Sequence, residues 1–591
     1  MEVSPRREIE MPHMRVSSID DDSNPLYGSR YETNRIDGRY STSQPTGRSF
    51  AHRLFTKNKG IKLMLLLATL VFLFRVSLNP TKDEALNFKL DKIVSLTPLK
   101  PEKTYFYLLP HSHNDASWLE TEKEIYDKYV KKILLTSMSY LSKTQKPAAH
   151  FTYCEVGLIM HYLKVNPSHA GFMRKLIADG QFEIVNGGIA MHDSATAYYD
   201  DILTNFEEGK TYAKEVLNTS PRVGWMIDPF GIGLSTLRIY SKLGYEEIVF
   251  TRASDDDKRE WEADNSLQFL WKMQESSPNT RPVFTHLFKQ RYGTPDPFFI
   301  EFPWAFSRKK IPNTTILSHL FNLDEKIEEF FGNLISLSRG YPTNQILIPM
   351  GSDFTYTNFA FSYSLIDMIM IFWKCNNLTG RYKSDINLEV TSVKNYFEKV
   401  REAQVAQKAD ISVKKGDFLP LIEGYKDSPR HASWTGYFTT KPFTKKCIKS
   451  HGQLVRGIRS IASLIDARGI NVSLNAILDS TKNSMWLIGM HSHHDAITGT
   501  AKSYVTEDYL KLIDEDVKRI NNYTWPVFSS FLAANGKSHD APTNFRLVSP
   551  FSETARADSG GQYIFLSTGG VERRLIRLFN KIENIVVNDT Q

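Results

Sequence analysis

The sequence is poor in cysteine, with only Cys154, Cys375 and Cys447 among 591 residues. Three thiols form at most one disulfide, and the sequence does not determine which pair would form it. No two of them have the short spacing of a zinc-binding knuckle. A disulfide-stabilised scaffold and a cysteine-based zinc module are therefore excluded.

An excess of one charge sign is also missing. The chain has 73 Lys and Arg against 66 Asp and Glu, and the resulting net charge of +7 is too mild over this length to indicate a nucleic-acid partner. Apolar residues make up 41% and charged residues 24%, which excludes a disordered, collagen-like or polytopic membrane chain. At about 100–200 residues per domain, the length predicts three or four folded units.

The chain has little long uninterrupted hydrophobic sequence. Its best run, Ile61–Leu78, has an uncharged core of twelve residues, short of the roughly 20 of a spanning helix. Lys62 and Arg75 can extend the span by reaching to the interfaces. Because a polar tail (1–60) precedes the run, an uncleaved signal-anchor (61–78) is favoured over a cleaved signal peptide or a buried helix.

Charge around this run predicts the topology. Five Lys or Arg and no acid lie between Arg48 and Lys62, so the tail is expected in the cytosol and the chain after Leu78 in the lumen, beginning with a stem (79–103). Six Asn-x-Ser/Thr sequons agree with a lumenal location. They are at Asn218, Asn313, Asn377, Asn471, Asn522 and Asn588.

Beyond the stem, short apolar runs alternate with segments of helical periodicity. Strand-like runs occupy Thr104–Pro110, Phe182–Val185, Val223–Ile227, Glu247–Phe250 and Gln345–Met350. This alternation predicts an α/β domain with a mainly parallel sheet over residues 104–415. Apolar residues at helical spacing predict a helical bundle over residues 416–534. Short strand-like pieces with Gly pairs over residues 535–591 are typical of the beginning of a β-rich domain.

Histidine and aspartate concentrate in four short segments of the predicted lumenal part. These are PHSHNDASW (110–118), WMIDPFG (225–231), MGSDF (350–354) and HSHHDAITGT (491–500). The first three directly follow strand-like runs, and α/β folds collect ligands and catalytic groups at the carboxyl ends of parallel strands. We therefore expect these segments to converge on one rim.

The side chains of such a rim suit a metal ion. Imidazole and carboxylate groups in a set of four are typical Zn²⁺ ligands. His113 and Asp115 are two residues apart, so in an extended segment both point to the same side, and His494 with a further Asp would complete the set. Taken singly, each segment is more typical of a cap or a turn. Together they favour a metal-dependent hydrolase, and the residues alone leave a glycosidase, a deacetylase and a metallophosphatase open.

The order and spacing of these segments resemble one family, the class II α-mannosidases of glycoside hydrolase family 38. HSHND resembles that family's HxHxDPGW, WMIDPFG its WQIDPFGHS, MGSDF its MG(S/D)DF and HHDAITGT its HHDA(I/V)(S/T)GT. NGGIAMHDSA (186–195), DFLPL (417–421) and SWTGYFTTKP (433–442) are similar to further family motifs. The resemblance covers residues from about Thr104 to Tyr509.

The resemblance implies a distorted (β/α) barrel-like catalytic domain followed by a helical bundle that supplies a metal ligand. It implies one zinc ion per chain, held by His113, Asp115, Asp228 and His494. It also implies retaining hydrolysis of terminal α-linked mannose from N-linked glycans. Asp228 would be the nucleophile of a covalent mannosyl-enzyme, and Asp353 the general acid and then the general base. The implied substrate contacts are Trp118, Phe230, Arg252, Tyr292 and Asp495.

The sequence departs from the family pattern at several positions. Ala116 and Ser117 replace a Pro-Gly pair, Ile232 replaces a His after the second motif, and Ile189 replaces a Trp. No implied ligand or carboxylate is lost. The family's long β-rich region would be represented only by its beginning, so a C-terminally short mannose-binding protein without hydrolysis is the alternative, beside another metal-dependent carbohydrate hydrolase such as a deacetylase.

Two compartments fit the sequence. The signal-anchor favours a Golgi membrane protein of type II topology with a lumenal catalytic domain. Ser352 in MGSDF is more typical of the lysosomal relatives, and the lysosome is the alternative. We expect the Golgi because the topology signal has the more direct physical basis.

Overall fold

The computed structural model describes residues 103–144, 149–273, 280–300, 323–378, 386–424, 432–467 and 474–534. By internal contacts the chain divides into Met1–Pro80 and Thr81–Gln591, and the described residues all belong to the second unit. The predicted tail, signal-anchor and β-rich region, and nearly all of the stem, lie outside the described residues. Within these ranges, no helix combines the length and the apolar character that a membrane crossing requires.

The strands of the described residues are short and are spread along the α/β part of the chain. They are β1 (Thr104–Pro110), β2 (Phe151–Tyr153), β3 (Phe182–Ile184), β4 (Val223–Met226), β5 (Glu247–Phe250), β6 (Gln268–Lys272), β7 (Val283–Leu287), β8 (Gln345–Met350), β9 (Ile386–Val390) and β10 (Val413–Lys415). All five strand-like runs predicted from the sequence are strands.

Strand β1 lies between β8 and β9 in a three-stranded parallel sheet. A second sheet has the order β10-β6-β7-β5-β4, and β2 and β3 form a third. Every pair is parallel except β6 with β7. The mainly parallel α/β fold is thus confirmed. The barrel-like arrangement is distorted, because the strands divide into three sheets, two of which meet where His111, just after β1, bridges to Thr152 of β2.

Burial explains why these runs are apolar without alternation. Every residue of β4, β5 and β8 is buried, and only one residue of β1 is partly exposed. A parallel strand that is covered on both faces needs apolar side chains at successive positions rather than at every second one. The covering layers are helices that follow most of the strands.

Most helices of the α/β part follow a strand and return the chain to the next one. They are α1 (Glu122–Ile125), α2 (Lys131–Leu141), α3 (Val156–Val165), α4 (Ala170–Ala178), α5 (Tyr199–Glu215), α6 (Leu234–Lys242), α7 (Asp255–Ala263), α8 (Leu323–Leu337), α9 (Phe359–Leu378) and α10 (Val393–Gln407). A π-helical turn, Tyr126–Val130, separates α1 from α2. The Thr121 side chain starts α1 in a capping box with Glu124.

Three long helices form the second part: α11 (Pro442–Ala467), α12 (Leu474–His491) and α13 (Ser503–Ala534). Their facing apolar residues make one core cluster that includes Cys447, Ile458 and Val517, as the helical spacing predicts. Helical spacing also predicts Phe443 on the same face, but the side chain of Phe443 is 54% exposed. It lies in the first turn of α11, outside the core cluster.

Candidate active site

The first and third His/Asp segments are joined as continuations of β1 and β8. The His113 amide donates to the carbonyl oxygen of Ser352 (3.2 Å), and the Phe354 amide donates to that of His113 (2.8 Å). Gly351 makes this approach possible, because a Cβ atom there would lie 1.9 Å from the carbonyl oxygen of His111. The parallel pairing therefore fixes Asp353 beside His113.

The fourth segment reaches the same place from the helical part. It follows α12, and its backbone pairs with the segment NGGIAMHDSA: the Asp193 amide donates to Ser492 (2.9 Å), and the His494 amide donates to Met191 (3.2 Å). The His494 Nδ1 also donates to the carbonyl oxygen of Met191 (2.9 Å). With its proton fixed on Nδ1, the His494 ring presents Nε2 as a free lone pair.

The structure brings together the four residues predicted as metal ligands, and all four are buried. The Nε2 atom of His113 lies 2.9 Å from Asp115 Oδ1 and 3.5 Å from Asp228 Oδ2. The Nε2 atom of His494 lies 3.2 Å and 3.4 Å from the same two oxygens. Ligands about 2.0–2.2 Å from a tetrahedral ion lie about 3.3–3.6 Å from one another. The donor atoms thus have nearly the separations of a zinc site.

The hydrogen bonding at these atoms supports the same conclusion. His113 Nε2, Asp115 Oδ1 and His494 Nε2 are shielded from solvent, and none of them makes a hydrogen bond within the described residues. Buried polar atoms are almost always bonded, because leaving them bare is costly. Three bare donor atoms that converge on one point fit a bound cation.

A second grouping of Asp115, His493, His494 and Asp495 also has metal-ligand separations. It shares the single Nε2 lone pair of His494 with the first grouping, so both cannot be filled at once. The Asp495 amide donates to Nδ1 of His493 (3.3 Å), which places the proton of a neutral His493 ring on Nε2. His493 therefore cannot ligate through the nitrogen nearest the site, and the first grouping is the better one for a single ion.

Asp228 is the most strongly held carboxylate of the site. The guanidinium of Arg252 donates to its Oδ1 from Nε (2.8 Å) and from Nη2. The Nη1 of Arg252 bonds the buried Glu423 (2.6 Å), which fixes the guanidinium. Burial alone would raise the pKa of Asp228, but Arg252 and the two ligand histidines hold that pKa well below its usual range.

Asp353 has the opposite character. Burial, together with the nearby carboxylates of Asp115 and Asp228, raises its pKa to about 7, although His113 and a hydrogen bond from Tyr292 work against the rise. The Tyr292 hydroxyl donates to Asp353 Oδ1 at 2.8 Å. Neighbouring carboxylates whose pKa values are pushed apart can divide the roles of acid and nucleophile.

The predicted metal ligands shift one another's pKa values strongly. Burial disfavours charge on His494, but Asp115 and Asp228 outweigh it and raise the pKa of that ring to about 10. The same carboxylates raise the pKa of His113 well above its usual value despite its burial. For His493, burial and the nearby His494 ring outweigh the opposing effect of Asp115 and lower the pKa to about 4.

The structure places the residues predicted to contact the substrate at different distances from the four ligands and with different burial. The Phe230 ring meets the His494 ring edge to face at 5.9 Å, and Arg252 lies 5.6 Å from the Phe230 centroid. Asp495 is buried, accepts from the Thr500 hydroxyl, and has a pKa raised to about 8 chiefly by burial. Trp118 is half-buried, and its backbone bonds Glu120 and Lys502. Arg252, Tyr292, Asp495 and Phe230 thus surround the site, and backbone hydrogen bonds hold Trp118 to Glu120 and Lys502.

Several residues of the site were not predicted from the sequence. The ring of Trp434, in the segment SWTGYFTTKP, packs 5.3 Å from Phe230 and 4.9 Å from the Arg252 guanidinium. His111 bonds the carbonyl oxygen of Tyr292 (2.9 Å). The others are His493, Glu155 and Glu423. The motif letters signalled His111, His493 and Trp434, whereas the two glutamates stand in no motif and become visible only through their burial.

An α/β domain with a buried group of four potential metal ligands that includes Asp228, and with Asp353 nearby, fits the class of metal-dependent glycoside hydrolases. The comparison with known families specifies which one. The profile of the glycosyl hydrolases family 38 N-terminal domain matches residues 103–421, and that of the alpha mannosidase middle domain matches residues 432–528. The chain belongs to glycosyl hydrolase family 38.

Individual relatives agree. The chain is similar to the lysosomal alpha-mannosidase of Dictyostelium discoideum, with 27% identity over 81% of the chain and 46% of the relative. It is also similar to alpha-mannosidase 2 of Drosophila melanogaster, with 26% identity over 72% of the chain and 39% of the relative. The chain thus spans about half or less of these relatives' length.

Among solved structures, an alpha-mannosidase from Enterococcus faecalis V583 superposes with a TM-score of 0.52 and 14% identity. The superposition covers 73% of the chain and 43% of that structure. At this low sequence identity, the superposition supports a shared fold alone.

Proposed function

We propose that this protein is a zinc-dependent retaining α-mannosidase that removes terminal α-linked mannose from N-linked glycans. The observation that carries the proposal is the pair Asp228 and Asp353, which lies at the four-ligand site and whose pKa values are shifted in opposite directions. Retaining and inverting glycosidases both need one carboxylate that is ionised and one that carries a proton at the same pH, and the retaining outcome is the one that the family resemblance implies.

In the proposed mechanism, Asp228 is the nucleophile. The Arg252 guanidinium keeps Asp228 ionised and holds its Oδ1 in place. The Asp228 carboxylate therefore needs little reorientation before it attacks the anomeric carbon. The product of this step is a mannosyl ester of Asp228, with the sugar configuration inverted. Attack of water on that ester inverts it again, which gives net retention.

Asp353 supplies and then recovers the proton. With a pKa of about 7, its protonated form donates to the leaving glycosidic oxygen in the first step. The ionised form then takes a proton from the attacking water. The Tyr292 hydroxyl orients one Asp353 oxygen and leaves the other for proton transfer.

The residues that would hold the metal are His113, Asp115, Asp228 and His494. Their two nitrogens and two oxygens suit Zn²⁺. When bound, the ion would supply Lewis-acid charge that binds and orients sugar hydroxyl groups. Phe230 and Trp118 are proposed to pack against the sugar, and Asp495 to bond one of its hydroxyls.

The test is turnover of an aryl α-mannoside by the full chain with zinc, followed by trapping with a fluorinated mannosyl donor that forms a slowly hydrolysed ester. We expect hydrolysis, and a mannosyl adduct on the peptide that contains Asp228. A folded, zinc-loaded chain without turnover would contradict the proposal. Turnover of acetylated sugars without an adduct would instead indicate a deacetylase.

We further propose a location in the secretory pathway, supported by the segment 61–78 and the sequons. Of the six sequons, Asn218 and Asn522 lie in the described residues with exposed side chains. The signal-anchor and the location in the Golgi membrane remain predictions. The lysosome remains the alternative location, because one relative is a lysosomal enzyme.

A further inference from the structure

A buried glutamate beside the predicted metal ligands makes no side-chain hydrogen bond within the described residues. Glu155 follows β2, is fully buried, and makes no hydrogen bond through either carboxylate oxygen within the described residues. It stands at the N-cap position of α3, yet its side chain does not cap that helix. Burying a carboxylate without a partner costs several kcal/mol, so neither packing nor capping accounts for it.

The group that faces Glu155 is the His113 ring, whose Nδ1 also lacks a hydrogen bond. His113 Nδ1 lies 3.9 Å from Glu155 Oε1, and it too is buried without a hydrogen bond. The other nitrogen of the ring, Nε2, points to the donor atoms of Asp115 and Asp228. A histidine that ligates through Nε2 carries its proton on Nδ1, and that proton needs an acceptor.

The separation suits a direct bond rather than a bridge. Two hydrogen bonds through a water span about 4.5 Å or more, so 3.9 Å leaves no place for a water between Nδ1 and Oε1. A shift of about 1 Å in the flexible Glu155 side chain brings the two atoms to bonding distance. Neither atom is already engaged in a hydrogen bond within the described residues.

We infer that Glu155 is a positioning residue of the metal site, whose carboxylate accepts the Nδ1 proton of His113. The bond would hold the ring so that Nε2 faces the ion. The carboxylate would also increase the electron density on Nε2, which strengthens it as a ligand. The inference rests on the metal site of the proposed function, but not on its hydrolytic activity.

The experiment measures zinc affinity of the full chain by competition with a chromophoric chelator, beside thermal unfolding of the metal-free protein. We expect Glu155→Leu to lower the affinity about 10- to 100-fold, while the metal-free protein unfolds at an equal or higher temperature because a buried carboxyl group without a hydrogen bond has been removed. Glu155→Gln keeps an acceptor oxygen without the charge, and its loss of affinity should be smaller.

The matched control is Glu183→Gln. The Glu183 carboxylate accepts from the Val393 and Lys394 amides at 2.7 Å and 2.8 Å, at the start of α10. This variant should unfold earlier and bind zinc as the wild type does. A spectroscopic check is the visible absorption of the Co²⁺-loaded protein, which should change with Glu155 and not with Glu183.

Wild-type zinc affinity in the Gln and Leu variants of Glu155 would overturn the inference, and so would an equal loss in Glu183→Gln. If Glu155→Leu does not fold, Glu155→Gln decides alone, since wild-type affinity and an unchanged Co²⁺ spectrum in that variant would overturn it. A wild-type chain that binds no zinc would overturn both the inference and the proposed function. Normal zinc affinity without mannosidase turnover would contradict only the proposed function.

Discussion

At the scale of single residues, the site depends on which atom of each side chain already makes a hydrogen bond and which atom remains to bind a cation. Asp228 has one oxygen bonded to Arg252 and the other near the ligand histidines. His494 and His493 are neighbours of the same type, but their Nδ1 atoms donate and accept respectively. Only the first can then offer Nε2 to a cation. Residue type alone does not distinguish the two rings, because the difference lies in the backbone groups that meet them, the Met191 carbonyl for His494 and the Asp495 amide for His493. The family motif is what selects His494 in the sequence.

Removing the proposed proton donor should separate chemistry from metal binding. In Asp353→Ala, we expect zinc affinity to stay at the wild-type level, because Asp353 lies outside the four-ligand set. Turnover of mannosides with poor leaving groups should fall about 10²–10⁴-fold, and that of activated aryl mannosides much less. Steady-state kinetics over a series of leaving groups measures this. An equal loss for all leaving groups would contradict the acid role.

The hydroxyl of Tyr292 should set the pH at which activity declines. Asp353 acts as an acid only while protonated, so with a pKa of about 7 the first step slows as the pH rises through that value. The Tyr292 hydroxyl stabilises the ionised carboxylate. In Tyr292→Phe the pKa of Asp353 should therefore rise, and the falling limb of kcat/KM should move to higher pH.

The control for this shift is Tyr437→Phe. The Tyr437 hydroxyl donates to the carbonyl oxygen of Phe230 rather than to a carboxylate, so its removal should leave the pH profile in place. A falling limb that stays unchanged in Tyr292→Phe, or that moves equally in both variants, would contradict the coupling.

At the scale of elements, apolar runs predicted five strands, three of which are buried along their whole length. β4, β5 and β8 are continuous apolar runs. β2 and β10 have three residues each and do not stand out as separate apolar runs, and β9 alternates between buried positions and positions that are partly or fully exposed. The turn Tyr126–Val130 is π-helical, which apolar spacing alone does not reveal.

The contact between the ends of β1 and β8 should tolerate no side chain. A Cβ at Gly351 would lie 1.9 Å from the His111 carbonyl oxygen and 3.0 Å from its ring. Gly351→Ala must push the two segments apart, so we expect a loss of about 3 kcal/mol or more in the free energy of unfolding. Weaker zinc binding should follow, because His113 and Asp115 move with His111.

Gly332→Ala serves as the control. This glycine lies inside α8, and no atom lies within 4 Å of where its Cβ would be. The substitution should stabilise the protein by about 0.5–1 kcal/mol through the lower entropy of the unfolded chain. Urea unfolding and zinc competition measure both variants, and wild-type behaviour of Gly351→Ala would show that the strand ends can separate.

At the scale of the whole molecule, the site is built from parts that are remote in sequence. Three ligands follow strands of the α/β part, and His494 follows α12 of the helical part. The order of the motifs predicts that these segments belong together, because the family resemblance supplies the fold. What the sequence does not determine is how the sheet departs from a regular barrel, for example the antiparallel pairing of β6 with β7.

Removing the metal should therefore destabilise both parts together. An ion that binds only the folded chain stabilises it by about 4 kcal/mol at a thousandfold excess over Kd. A strong chelator should lower the unfolding temperature of the full chain, and added zinc should restore it. His494→Ala should unfold at the lower temperature whether or not the chelator is present. An unfolding temperature that ignores the chelator would contradict the site.

The close contact of Gly351 with His111 has a consequence for how this site can change. The wall formed by the segments after β1 and β8 admits no side chain at Gly351, so a substitution at that position trades directly against folding. A second wall consists of Phe230, Trp434 and Asp495, which meet their neighbours in the site through ring packing and a side-chain hydrogen bond. A laboratory selection for new sugar preferences should accumulate its accepted mutations on that second wall and leave Gly351 untouched.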